Sequence, residues 1–125
     1  MKTSELIGAQ LDWAVAKCGG IDAHVDGNKL FYQKAGGRSF LVYAPSTNWV
    51  QGGPLTEREG ISVVMGNDLI FPKGNERGEH TEPLYLARYS GAVPWTHGPT
   101  PLIAAMRCCV VSKLGAEVDI PEELV

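Results

Sequence analysis

The chain has 125 residues, 44% of them hydrophobic, and its 11 Lys and Arg against 14 Asp and Glu leave a net charge of −3. That length and composition predict one domain, 1–125, able to bury a core without metal or disulfide staples. Scattered cations on an acidic chain argue against a duplex-DNA binder, and no window is long and apolar enough for a membrane span.

In chain order, residues 4–18 read as a first helix. Thr3 or Ser4 can cap it, and Glu5 suits its first turn. Leu6, Ile7, Leu11, Ala14 and Cys18 share one stripe, with Trp13 on its margin. Gly19-Gly20 ends the element. Acids and a Trp interrupt the apolar run that a secretory leader needs, so a non-secreted protein is expected. Asp12 is given a structural role, as a partner of Arg107 or Arg58.

KLFYQ (29–33) and SFLVY (39–43) flank AGGR and read as a hairpin. The stretch PSTNWVQGGPLTERE (45–59) follows. Its two prolines, Gly-Gly pair and polar residues read as a loop, too broken for a helix or a central strand. ISVVM (61–65) and DLIFP (68–72) flank Gly66-Asn67 as a second possible hairpin, and 73–82 is a polar loop. PLYLARY (83–89) is expected to be the last strand.

GPTPLIAAMRCCVVSKLG (98–115) is the clearest element. Thr100 is a good N-cap, Pro101 a good first residue, Gly115 the stop. Apolar side chains fall almost all round this helix, so it should be mostly buried. Arg107 is then half-buried and needs a carboxylate or a carbonyl as partner. The fold class is α+β: a small, mostly antiparallel sheet of four or five strands with an N-terminal helix and a buried C-terminal one.

The chemistry concentrates in two places. In the 45–59 stretch, Trp49 offers a flat face to a base or sugar. Ser46, Thr47, Asn48 and Gln51 offer hydrogen bonds, Gly52-Gly53 allows close backbone approach, and Arg58 offers a charge. The competing structural reading is an Ω-type loop that packs Trp49 against the sheet. The second place is HGPTP. The helix start there keeps N–H groups on Thr100, Leu102 and Ile103, although Pro99 and Pro101 have none, so capping is favoured over anion binding. Tyr43 and Trp95 are further stacking candidates. The three cysteines, Cys18, Cys108 and Cys109, fit a reducing compartment, and the two on the apolar helix should be inert thiols. No catalytic triad, zinc spacing or nucleophile elbow is legible, so no catalytic residue, metal or cofactor is assigned.

Three stretches, LDWAVAKC (11–18), YAPSTNWVQGGPLTEREGI (43–61) and GPTPLIAAMRCCVVSKLG (98–115), resemble in that order the NinX-like family of phage and prophage accessory proteins, a domain of unknown function. Residues 20–42 and 62–97 are not diagnostic. The family loop more often reads Tyr-Ser-Pro-Ser-Thr-Asp-Trp; Ala44 and Asn48 stand here for the serine and the aspartate. An amide hydrogen-bonds but does not ionise, which counts against acid–base work by this loop. The resemblance implies a protein made in the host bacterial cytoplasm that acts by binding. The leading expectation is sequestration of a small nucleotide-type ligand without turnover, as a counter-defence sponge for a host immune signal. Tyr43, Trp49 or Trp95 would stack on a base. Ser46, Thr47, Arg58 and the Gly52-Gly53 backbone would hold phosphate or ribose, with Thr100 and Leu102 adding donors. A homo-oligomer is expected. The alternatives are an interaction protein that inhibits or redirects a host protein, a nucleotide hydrolase using Glu57, Glu59 or His97, and a single-strand nucleic-acid binder.

Overall fold

The computed structural model describes residues 1–33, 37, 39–65, 84–89 and 95–125. Its centre is the C-terminal helix α3, Pro101–Leu114, in which every residue from 102 to 110 is buried. The cap is as the sequence predicts. Thr100 accepts a hydrogen bond from Ile103 N at 3.1 Å, and Gly115 closes the far end at φ 92°. A helix apolar on all faces can be satisfied only when other elements surround it. Here α1 (Ala9–Cys18), α2 (Trp49–Arg58) and three strands all pack on α3.

Among the described residues the strands form two three-stranded antiparallel sheets rather than the one expected. The first joins β1 (His24–Asp26), β2 (Lys29–Gln33) and β3 (Phe40–Val42), with Phe31 opposite both His24 and Val42. The second joins β4 (Ile61–Met65), β5 (Tyr85–Tyr89) and β6 (Thr96–Gly98), with Val63 opposite Ala87 and Ala87 opposite Thr96. Thus β5 is not the last strand. Both β1 and β6 have only three residues, too few for an alternating pattern to stand out in sequence. The proposed strand at 68–72, its turn and the 73–82 loop lie outside the described residues, as does most of the 34–38 turn.

The first helix is shorter than the predicted 4–18. Residues Thr3–Glu5 form a 3-10 turn, and Gly8, at φ 59°, separates it from α1. Leu6, Leu11 and Ala14 of the predicted stripe are buried, but Ile7 is exposed. Thr3 is not a helix cap. Its hydroxyl donates to Gly115 O at 2.8 Å, and Thr3 N donates to Ala116 O at 2.8 Å. The N-terminal strap is thereby tied to the end of α3.

The largest departure is α2. The stretch expected to be a loop is a ten-residue helix from Trp49 to Arg58. Asn48 caps it by accepting from Val50 N at 2.9 Å. Gln51 has the spacing of a capping box but bonds elsewhere: Nε2 donates to Val42 O at 2.8 Å and Oε1 accepts from Ala44 N at 2.6 Å. It therefore pins the helix to the chain leaving β3. Pro54 lies inside the helix and is exposed, as is Val50 one turn earlier, whose carbonyl loses its helical partner to the proline. Gly60, at φ 66°, ends the element.

Candidate functional site

The turn at 45–48 and the start of α3 meet. Ser46, Thr47 and Trp49 from one side, and Thr100, Pro101, Leu102 and Ile103 from the other, line a recess of about 200 Å³. Trp49 is the first residue of α2, and 59% of its surface is exposed. Ser46 is 1% exposed, and its Oγ is a buried polar atom without a hydrogen-bond partner. Pro101 and Ile103 were not among the expected ligand contacts; the Ile103 N–H that the sequence left free at the helix start is used by the Thr100 cap.

Asp12 holds this turn from behind. The pairing expected with Arg107 or Arg58 does not form; Asp12 Oδ1 accepts from Ser46 N at 2.8 Å instead. Burial raises the Asp12 carboxyl to about 6, only partly offset by Ser46, whose hydroxyl leans toward it without reaching ordinary hydrogen-bond geometry. A carboxylate 34 residues upstream thus fixes the backbone of the recess. Arg107 takes the other expected kind of partner, the carbonyl. Its Nε donates to Leu6 O at 3.0 Å and its Nη1 to His97 O at 2.9 Å.

Several sequence candidates serve the fold or lie elsewhere. Tyr43 is buried, edge-on to Tyr32 at 5.1 Å between ring centroids, so its face is not open for stacking. Burial, then the nearby Asp12 charge, pushes its phenol up. Gly52 does bring backbone close, but to protein: an added Cβ would strike Pro45 O and stand 2.6 Å from Leu102 Cδ1. Leu102 itself is buried against it. Gly53 borders Trp49, with an added Cβ 3.5 Å from Trp49 Cε3. Asn48 and Gln51 are occupied as a cap and a clamp.

Arg58 is nine residues from Trp49, a helical rise of about 14 Å. There it approaches Glu59 at 3.5 Å, and Glu59 is bound at 2.8 Å by Lys113, whose hydrogen bond lowers its pKa. Trp95 lines a separate cavity, with the Arg88 guanidinium 4.5 Å over its ring. The recess lining therefore gathers Ser46, Thr47, Trp49, Thr100 and Leu102 from the expected set, and leaves Tyr43, Asn48, Gln51, Gly52, Gly53, Arg58 and Trp95 out.

Cys108 and Cys109 are buried, as expected for thiols on this helix. The sequence did not signal that Cys18 approaches Cys109, donating to its carbonyl at 3.9 Å. The two thiols also interact, which lowers Cys109 and raises Cys18. No group of three metal-ligating side chains occurs among the described residues. Nor does any described helix have the length and apolarity to cross a membrane.

Thr100 carries a direct test of how the recess edge is held. Thr100→Ala should lower stability by about 1 kcal/mol, the usual cost of losing an N-cap. Chemical denaturation with an unchanged m-value would show this; a neutral result would mean that the cap is not needed to start α3.

Comparison with known families matches residues 2–113 to the model described as Bacteriophage P22, NinX. The match spans every described strand and all but the last residue of α3. No curated protein matches the chain.

Proposed function

We propose, from the premise that this chain belongs to the bacteriophage P22 NinX family, that it is an accessory protein that binds and sequesters a nucleotide-type ligand. The carrying observation is the pairing of two opposite surface types in one recess. A buried Ser46 hydroxyl lacks a partner, and beside it stands a Trp mostly exposed to water. A buried hydroxyl whose one near neighbour is the Asp12 carboxyl, outside hydrogen-bond geometry, still carries a desolvation cost that a ligand's hydrogen bond would reduce. An exposed indole contributes stacking on any base. About 200 Å³ suits a base or a sugar better than a whole dinucleotide. The phosphates would extend along the surface, and a second copy of the chain would help to enclose them. Strand β3, at the edge of its sheet among the described residues and with Phe40, Leu41 and Val42 exposed, is the surface offered for that pairing. The work would be done in the host bacterial cytoplasm, and sponging a host immune signal is the use this reading favours.

Trp49→Ala is the test. At 59% exposure the side chain contributes little to folding, so stability should fall by about 1 kcal/mol or less. Stabilisation by the nucleotide that raises Tm in the parent protein should vanish. A ligand recovered unchanged from the complex supports sequestration; an altered one would make the protein a nucleotide hydrolase. If Trp49→Ala unfolds the protein, the indole is a structural element and this reading loses its support.

One observation favours a second reading, a host-protein contact. Val50, next to Trp49 on α2, is 83% exposed. Two adjacent apolar side chains at a helix start are the kind of anchor that protein interfaces use. A flat response to a nucleotide panel, with a stoichiometric host protein whose capture Trp49→Ala and Val50→Ser abolish, would favour this alternative.

A further inference from the structure

We propose a second ligand site, independent of the Trp49 recess: the cavity bordered by the N-terminal strap, β6 and α3 binds a small oxyanion carrying an apolar or aromatic group. Arg107 is its charged anchor. The cavity measures about 320 Å³ and is lined in part by Lys2, Trp95, His97, Arg107, Val111 and Glu117.

Arg107 is only 7% exposed. Its two hydrogen bonds, from Nε to Leu6 O and from Nη1 to His97 O, both end on neutral backbone carbonyls. None of the ion pairs among the described residues includes it. A guanidinium has five N–H donors, so three are unused by these contacts. A buried cation without a counter-charge is costly, and the same burial lowers the Arg107 pKa. The carbonyls of Leu6 and His97 fix the guanidinium fork in place, and a fixed fork matches the two oxygens of a carboxylate or a phosphate.

The rest of the lining agrees with that chemistry. Two cations, Arg107 and Lys2, and one carboxylate, Glu117, border the cavity. Trp95 and Val111 give the apolar wall. The Thr3 hydroxyl also borders the cavity but is spent on Gly115 O. The volume is at the lower end for ligand sites, roughly 300–1,000 Å³, and suits a ring with one oxyanion. Carboxylate and phosphate monoester share this recognition, and two probes separate them.

Calorimetric titration of the full chain with benzoate and with phenyl phosphate at low salt tests the site. Saturable binding of at least one probe is expected, weakening as salt rises. The tighter probe identifies the oxyanion. Arg107→Gln keeps an N–H donor for one carbonyl but removes the charge, and should weaken binding about tenfold or more. Val111→Phe fills the cavity without touching the bonds to Leu6 or His97, and should weaken binding to a similar degree. It remains decisive if Arg107→Gln does not fold. Trp49→Ala should leave this binding unchanged, which separates it from the recess. No saturable binding of either probe, or unchanged affinity in Val111→Phe or in folded Arg107→Gln, would overturn the proposal.

Discussion

Gly52→Ala should destabilise the protein by about 3 kcal/mol, near the upper end for overpacking. Helix propensity alone predicts the opposite sign, since Gly to Ala within a helix is usually favourable by about 0.5–1 kcal/mol. Packing should win because the new Cβ would collide with the Pro45 carbonyl, a backbone atom, and approach Leu102 Cδ1 to 2.6 Å. Neither neighbour can yield easily: Pro45 and Leu102 are both buried. Gly53→Ala is the matched control. Its Cβ meets only Trp49 Cε3 at 3.5 Å, an ordinary contact, so it should gain about 0.5 kcal/mol from propensity. Urea midpoints of the two variants should shift in opposite directions. If both rise, α2 does not seat against the Pro45 turn and α3, and the Ser46–Trp49 recess loses its back wall.

Asp12→Asn should make the protein more stable at pH 8, by about 3 kcal/mol at most. The folded-state carboxyl is raised from 3.8 to about 6 by burial. A raised carboxyl pKa means that the folded chain holds the proton more tightly than the unfolded chain. The contribution to stability is therefore fully present below about pH 4 and is lost as pH rises through about 6. At 1.36 kcal/mol per pH unit, the rise from 3.8 to about 6 sets the upper figure of about 3 kcal/mol. An amide keeps an oxygen to accept from Ser46 N, whose present bond to Oδ1 is 2.8 Å, and it carries no charge to desolvate. The difference in stability between variant and parent should grow between pH 4 and pH 7 and then level. A variant less stable than its parent at pH 8 would show that the turn needs the ionised carboxylate. Asp12→Ala would not mimic this gain, because it leaves Ser46 N without its acceptor.

The C-terminal helix was legible in the sequence because its signals are local. Thr100, Pro101 and Gly115 mark its ends, and an apolar run without a polar face can only be buried. Strands 29–33, 61–65 and the core of 83–89 were legible for a similar reason, from β-branched and aromatic runs between turn residues. The helix α2 was not, because Gly52, Gly53 and Pro54 have low propensity for a helix interior. One local clue pointed the other way: Asn48 with Gln51 three residues on, ahead of Gly60. What decides the outcome is tertiary. Gly52 is the only residue type that fits between Pro45 O and Leu102, and Gln51 is held by Val42 and Ala44.

The candidate site divides in the same way. The sequence alone determined the family, the α+β class, the buried final helix and the stretches that would carry binding chemistry, since each depends on residue type and short spacing. It placed Ser46, Thr47, Trp49, Thr100 and Leu102 in one set, and those residues do meet. Only the tertiary structure decided that Arg58 sits at the far end of α2, that Trp95 faces another cavity, and that Tyr43 is closed off by Tyr32. It also decided that Asp12 answers Ser46 and Arg107 answers two carbonyls. Those partners are 34, 101 and 10 residues away. A polar group's need for a partner can be read from its type, whereas which distant backbone atom meets it depends on how the packed helices cross.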